Sequence, residues 1–376
     1  MPDLMFSVPY NDDARTMAKL VSMRRRGGNS IREVYLGVPQ SIAGSGRVGC
    51  EMTMDRFLKT VDSVHEAGIA VDLTMNSTCE GASWYDEEAI ERTVGFVSTM
   101  HVEHGVEAVT LANPFYISAV REACPRMEIS ASVLADIDCY ERAEAFARAG
   151  ANTMTVDTSI NRNVKLLEQI AAGLGVEVKL MVNEGCLNKC PYRKFHMNYI
   201  SHRSHDARCE GSGFSFACAD MIERDRTHIF RSNWVRPEEL SRYASATRFF
   251  KIVGRDMLMS KVVRSVAAYM DESYDGNLLD LLCSSIGFYN VEQSAYVDNK
   301  ALGRSSYFKR LSACNRKCHA CAYCQKLVDE HVRYGCVTEE NLLDMGQYAL
   351  ASAVKSQFGG SFPACRDYAT RPRAQV

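Results

Sequence analysis

Two groups of cysteines, Cys186/Cys190/Cys209/Cys218 and Cys314/Cys318/Cys321/Cys324, carry the most legible chemistry in this chain. Thiolates at such short intervals are soft metal ligands, and they call for iron–sulfur or zinc chemistry rather than packing. In the first group Cys186 and Cys190 lie four residues apart and Pro191 follows, as in ferredoxin-type ligation. Cys209 and Cys218 bring the count to four, enough for a [4Fe–4S] cluster. Cys186, Cys190, His196 and His202 would equally make a zinc site of two sulfurs and two nitrogens.

The second group places four cysteines within eleven residues. Its first three have the Cys-x3-Cys-x2-Cys spacing of radical S-adenosylmethionine enzymes. In those enzymes, however, the motif follows the first barrel strand and leaves one iron open. Here it follows the last expected strand, and a fourth thiol is at hand. A closed structural zinc or a second iron–sulfur cluster is therefore expected, with Cys336 and His319 as spare ligands.

The elements that must position these residues recur along the first two thirds of the chain. Strands are expected at Met5–Pro9, Glu33–Gly37, Ala70–Met75, Ala108–Ala112, Glu128–Val133, Thr153–Asp157, Glu177–Val182 and Phe249–Val253. Between them run amphipathic stretches such as Met54–Ala67, Glu87–His104, Tyr140–Ala149 and Asn163–Leu174. Several close on a glycine, where a helix end favours a left-handed residue. Eight strand–helix units fit an α/β fold of the (β/α)8 TIM-barrel type better than the alternative, an open Rossmann-like sheet. The expected organisation is a barrel over 1–258, with a metal-binding loop at 183–248. A mainly helical, Cys-rich extension over 259–376 has helices at Lys261–Met270, Leu278–Cys283 and Thr338–Gln357 and ends in a mobile tail.

In such a barrel the reaction site lies beyond the C-terminal ends of the strands. The residues there are Asn76, Asn113, Asp136, Asp157, Asn183, Glu184 and Arg255. Any single Asn is as readily a turn former. Arg255 is a candidate anion ligand. Gly44-Ser45-Gly46-Arg47-Val48-Gly49 fits the dinucleotide expression G-x-G-x-x-G, but six residues separate it from the preceding strand. It reads instead as a loop over the barrel mouth, of the kind that can form an anion nest. His101 and His104 lack the H-E-x-x-H arrangement of zinc proteases, and no G-x-S-x-G elbow is present.

Composition narrows the class. The 376 residues hold 44 basic against 46 acidic side chains, so no general field favours nucleic acid. The first ten residues do not read as a signal peptide. No stretch approaches the roughly 18 apolar residues of a membrane span. A cytoplasmic setting is expected, where fifteen cysteines are not a disulfide framework. Partners expected are a small-molecule, anionic substrate and a protein partner or a second copy of the chain.

The stretch Asn183-Glu184-Gly185-Cys186-Leu187, continuing through Cys190-Pro191, Arg193, His196 and Asn198, is one part of a wider pattern. With Trp234-Val235-Arg236-Pro237-Glu238-Glu239-Leu240, Tyr243 and Phe250–Arg255, it resembles the collagenase-like peptidase family numbered thirty-two. The better understood members resemble oxygen-independent hydroxylases that carry a [4Fe–4S] cluster on four cysteines. They act in ubiquinone synthesis or on RNA, some with prephenate as the oxygen source. The resemblance implies Cys186 and Cys190 as ligands, followed by Cys218 and Cys209. The Cys-rich C-terminal segment is an addition to the family pattern.

The function expected on this basis is an iron–sulfur oxidoreductase performing oxygen-independent hydroxylation, or a related redox modification, of a small or aromatic metabolite. His196 or Glu184 would move protons, Arg255 would hold a carboxylate or phosphate, and Asn76, Asn113, Asn183, Arg193 and His202 would line the substrate pocket. The alternatives are a peptidase-like hydrolase, an RNA-modifying hydroxylase and a non-catalytic iron–sulfur subunit.

Overall fold

The structure is a computed structural model that describes residues 3–46, 52–203, 218, 221–222, 224–283 and 295–335. Eight parallel strands form its frame: β1 (Met5–Pro9), β3 (Asn29–Gly37), β4 (Ala70–Met75), β5 (Ala108–Leu111), β6 (Glu128–Ala131), β7 (Thr153–Thr155), β8 (Glu177–Met181) and β9 (Phe249–Lys251). Each pairs with the next in the chain, and β1 pairs with both β3 and β9, so the sheet closes on itself. That closure is the (β/α)8 barrel rather than the open sheet. A short β2 (Arg25–Arg26) pairs antiparallel with the start of β3 through a Gly27–Gly28 turn, both glycines at positive φ. This hairpin explains why β3 begins four residues before the expected strand.

The helices between strands are α1 (Ala14–Ser22), α2 (Met54–Glu66), α3 (Glu87–Val102), α4 (Pro114–Ala123), α5 (Tyr140–Arg148) and α6 (Val164–Leu174). Four of their starts follow from capping: the side chains of Asp13, Thr53, Asn113 and Asn163 each accept a backbone N–H of the first turn. Pro114 stands at the first position of α4, where a missing N–H costs nothing. Buried faces such as Phe57, Val61 and Val64 of α2 pack on the outside of the barrel.

The barrel lumen is polar, unlike the branched apolar layers usual for this fold. Lys179 of β8 reaches across to Glu33 of β3 at 2.5 Å and to Asp72 of β4 at 3.5 Å, and all three are buried. Lys251 of β9 approaches Asp72 at 3.8 Å and lies 3.8 Å from the ring centre of Tyr35. Thr110 donates to the Asp72 carboxylate. Strand register places Ser7, Thr74, Ser130 and Thr155 on the same inner face, and none of their hydroxyls has a hydrogen-bond partner among the described residues.

After β8 come α7 (Arg193–Arg203) and α8 (His228–Arg231), and after β9 comes α9 (Met259–Met270), which packs beside α1 and ends near Asn29 at the start of β3. Beyond them come α10 (Asn299–Gly303), α11 (Tyr307–Ser312) and α12 (Tyr323–His331). The expected helix at Lys261–Met270 is present within α9, but Leu278–Cys283 is only a 3-10 turn, Leu278–Leu281. The extension also contains an antiparallel strand pair, β10 (Ala295–Val297) with β11 (Val332–Tyr334), which a mainly helical reading missed. The expected helix at Thr338–Gln357, the tail, Cys336 and Gly49 lie outside the described residues. Among the described residues no helix is long and apolar enough to cross a membrane.

Candidate active site

Three consecutive strands each deliver one carboxylate to the C-terminal face: Asp136 after β6, Asp157 after β7 and Glu184 after β8. Arg193, the first residue of α7, stands among them. Its Nη1 donates to Glu184 Oε2 at 3.2 Å, and its Nε lies 3.9 Å from Asp136 and 4.0 Å from Asp157. The last two are ion pairs too long for hydrogen bonds. Both Nε and Nη2 of Arg193 are buried with no hydrogen-bond partner. Burial works to discharge the guanidinium, but Glu184, Cys186, Asp157 and Asp136 outweigh it and raise the Arg193 pKa.

Local turns fix this arrangement. Asp157 accepts the N–H of Ser159 as the cap of a 3-10 turn, and Asp136 takes the left-handed conformation at φ 52°. Cys186 and Cys190 lie in the loop that leads into α7 and are half-buried. Burial pushes the Cys190 thiol up.

Of the other expected site residues, several are committed to positioning loops. Asn183 donates to the carbonyls of Val253 and Leu281 and accepts the Val253 N–H, tying the end of β8 to the end of β9 and to the extension. Asn76 accepts from Ser45 and Gly46 and donates to Ser132. The Gly44–Gly46 loop therefore lies over the barrel mouth, as the sequence suggests. Gly44 gives its N–H to Glu80 and Gly46 to Asn76, so neither is open to an anion, and residues 47–49 of the expected nest lie outside the described residues.

Arg255 joins this loop by donating to Ser45 at 2.8 Å, with its guanidinium 5.8 Å from the Tyr35 ring centre. Gly37 permits that approach, since a Cβ there would stand 3.0 Å from Arg255 Nη1. Asn113 caps α4 with its oxygen and leaves its Nδ2 buried and without a hydrogen-bond partner. His196 is half-buried one turn along α7 from Arg193, on the same helix face. The side chain of His202, and Cys209 altogether, lie outside the described residues.

Cys190 and Cys218 pack against the hydrophobic core. Among the described residues no three side chains of His, Cys, Asp or Glu are grouped to hold a metal ion. Sequence reasoning missed the lumen set of Glu33, Asp72, Lys179 and Lys251. The signal was available: strands buried on both faces read as continuous apolar runs, and here charged residues interrupt them, as in Val71-Asp72-Leu73 and Val178-Lys179-Leu180.

The chain matches the profile of peptidase family U32 over residues 18–275. It is 26% identical over 340 residues to an uncharacterized protease of Methanocaldococcus jannaschii, covering 88% of this chain and 99% of that protein. Among solved structures, a U32 peptidase aligns over 68% of this chain and 94% of its own, at 16% identity and a TM-score of 0.48. Tryptophan synthase from M. tuberculosis aligns over 74% and 90%, at 11% identity and a TM-score of 0.40. The family expected from the Asn183–Asn198, Trp234–Tyr243 and Phe250–Arg255 stretches is borne out. The expected reaction, iron–sulfur-dependent hydroxylation, is corrected: the matched family is one of peptidases and the matched relative is described as a protease.

Proposed function

The chain belongs to peptidase family U32, and we propose that it hydrolyses amide bonds of peptide substrates at the C-terminal mouth of the barrel. The observation that carries this reading is Arg193, a buried guanidinium fixed by Glu184 with two N–H donors left without hydrogen-bond partners. A fixed cation with spare donors is suited to a carbonyl oxygen that becomes an oxyanion, because no reorganisation is needed when the charge develops.

Glu184 is the proton carrier. Its carboxylate takes a proton from the attacking water as the oxygen bonds to the carbonyl carbon. It returns that proton to the amine nitrogen as the carbon–nitrogen bond breaks. Arg193 holds the tetrahedral oxyanion between these steps through Nε and Nη2. Asp136 and Asp157 keep the guanidinium charged and aimed without occupying its donors. Asn113 Nδ2 offers a further donor at the same face for the peptide backbone. Arg255, set at the rim by Ser45 and Tyr35, anchors a carboxylate of the substrate.

The test is to incubate the purified full-length protein with a defined mixture of unmodified peptides and follow new amino termini by mass spectrometry. Cleavage by the native chain that disappears in Glu184→Gln supports the assignment. A correctly folded native chain that releases no new termini from any peptide overturns it.

A further inference from the structure

Tyr85 and Phe115 are 60% and 67% exposed, yet they belong to different elements and meet edge to face, with ring centroids 6.1 Å apart and planes at 86°. Tyr85 closes a 3-10 turn, Ala82–Tyr85, in the connection after β4, and Phe115 is the second residue of α4, after β5. Both therefore stand on the C-terminal face of the barrel. Behind them Trp84 stacks on Tyr116 at 5.5 Å and 27°, and the Tyr116 hydroxyl donates to the Trp84 carbonyl at 2.6 Å. Single exposed apolar side chains are ordinary. Rings held together across two elements make a contiguous apolar surface, the kind that marks a binding site.

Three features join this surface to the candidate active site. Asn113, 8% exposed, stands directly before it: its oxygen accepts the Phe115 N–H at 3.0 Å, and its Nδ2 has no hydrogen-bond partner among the described residues. β5, which ends before Asn113, pairs with β6, which leads to Asp136, so the rings begin one strand away from the carboxylates around Arg193. In the connection after β4, Thr78 gives its N–H to Ser201 of α7, the helix that begins at Arg193.

We propose that Tyr85 and Phe115, backed by Trp84, form a subsite for a neutral aromatic side chain of the substrate, a specificity that rests on the reading of the barrel mouth as a peptidase site. The substrate ring lies against Tyr85 and Phe115 in offset or edge-to-face contact. Asn113 Nδ2 donates to the backbone carbonyl of the same residue. An extended peptide presents a carbonyl and a side chain together, whereas a folded face of a second copy has its carbonyls already bonded. A smaller aliphatic side chain forgoes the ring contacts. An acidic one is repelled by Asp86 and Glu87, which are exposed beside Tyr85.

The experiment uses the full chain and octapeptides of Ala and Gln in which Phe, Leu or Glu is placed at each position in turn. Binding is read from the emission of Trp84, since the other tryptophan, Trp234, is buried in the core, and is repeated by isothermal titration calorimetry. Cleavage is followed separately by mass spectrometry. At one position the Phe peptide is expected to bind about tenfold more tightly than the parent, and the Glu peptide more weakly. Tyr85→Ala/Phe115→Ala is expected to erase that preference with little change in melting temperature, because both side chains are exposed. Should the double variant fail to fold, Phe115→Gln alone is expected to weaken the preference. Where the native chain cleaves, the loss falls on KM and not on kcat.

An aromatic preference in binding, without cleavage, supports the subsite and overturns the peptidase reading alone. Cleavage with no preference for Phe, or a preference that survives in the variants, overturns the subsite alone. Self-association of the native chain that Tyr85→Ala/Phe115→Ala abolishes, with no peptide preference, assigns the rings to a second copy and overturns the subsite too. Binding of no peptide at all overturns both.

Discussion

Asn233 donates to Asn188 at 2.8 Å, so the loop carrying Cys186 and Cys190 is held by a residue that the second cysteine group also grips through Arg316. Two segments more than a hundred residues apart in the chain thus share one amide side chain. Asn233→Ala removes the acceptor of Arg316 and the donor to Asn188 together. Leaving such part-buried groups without partners costs about 1–3 kcal/mol. The expected outcome is a lower denaturation midpoint in urea with an unchanged slope. An unchanged midpoint would mean that the two loops are held independently.

The reading of the barrel mouth makes a kinetic prediction. Glu184→Gln keeps the shape of the side chain and its contact with Arg193 but removes the proton acceptor, so kcat for peptide cleavage falls about 10²–10⁴-fold with little change in KM. Arg193→Lys keeps the charge but loses the planar fork, and its loss falls on kcat by about 10²–10³-fold, the usual consequence of deleting an oxyanion donor. Equal loss in KM and none in kcat for both variants would place the pair in substrate binding alone.

The barrel was legible because short apolar runs alternate with amphipathic stretches, four of which begin with a capping side chain, signals that depend on a few neighbouring residues. All eight expected strands are present, with ends that differ by a few residues at most. The site was legible only as a set of residues beyond strand ends. Nothing local distinguishes Asn183, whose amide is fully used on backbone, from Asn113, whose Nδ2 is not. That difference depends on which distant carbonyls arrive at each side chain, and only the closed sheet decides it. Arg193 belonged to the expected site, but its central place among Asp136, Asp157 and Glu184 arises from three different strands and could not be read from spacing.

The lumen predicts a stability effect that is independent of activity on peptides. Lys179 is buried between Glu33 and Asp72, and burial pushes the Glu33 carboxyl up while Lys179 opposes it. Lys179→Met leaves two carboxylates in the barrel interior without their nearest cation. Breaking a buried pair in this way costs about 3–5 kcal/mol. Denaturant titration near neutral pH is expected to show that loss. At lower pH the loss shrinks, because protonation removes the stranded charges. A variant as stable as the native chain would show that Lys251 alone neutralises the set.

Lys261 predicts a gain. Its Nζ on the first turn of α9 is buried with no hydrogen-bond partner, and burial pushes its pKa down to about 8 from an ordinary value of 10.5. Lys261→Met removes an unsatisfied buried donor and fills the same space with apolar atoms, which is expected to stabilise the fold by about 1–3 kcal/mol. The pH dependence follows from the sign of the shift. Below about pH 8 the amine is charged in both the folded and the unfolded chain, and the folded state carries the full penalty. Between about 8 and 10.5 the unfolded chain binds more protons, so this group makes the native protein more stable as pH rises. The advantage of Lys261→Met is therefore largest below pH 8 and diminishes toward pH 10.5. Part of the rise persists in the variant, because burial also pushes Lys251 down to about 8. Melting temperatures of both proteins across this range provide the check, and a difference that grows with pH would show that Lys261 is paired in the folded state.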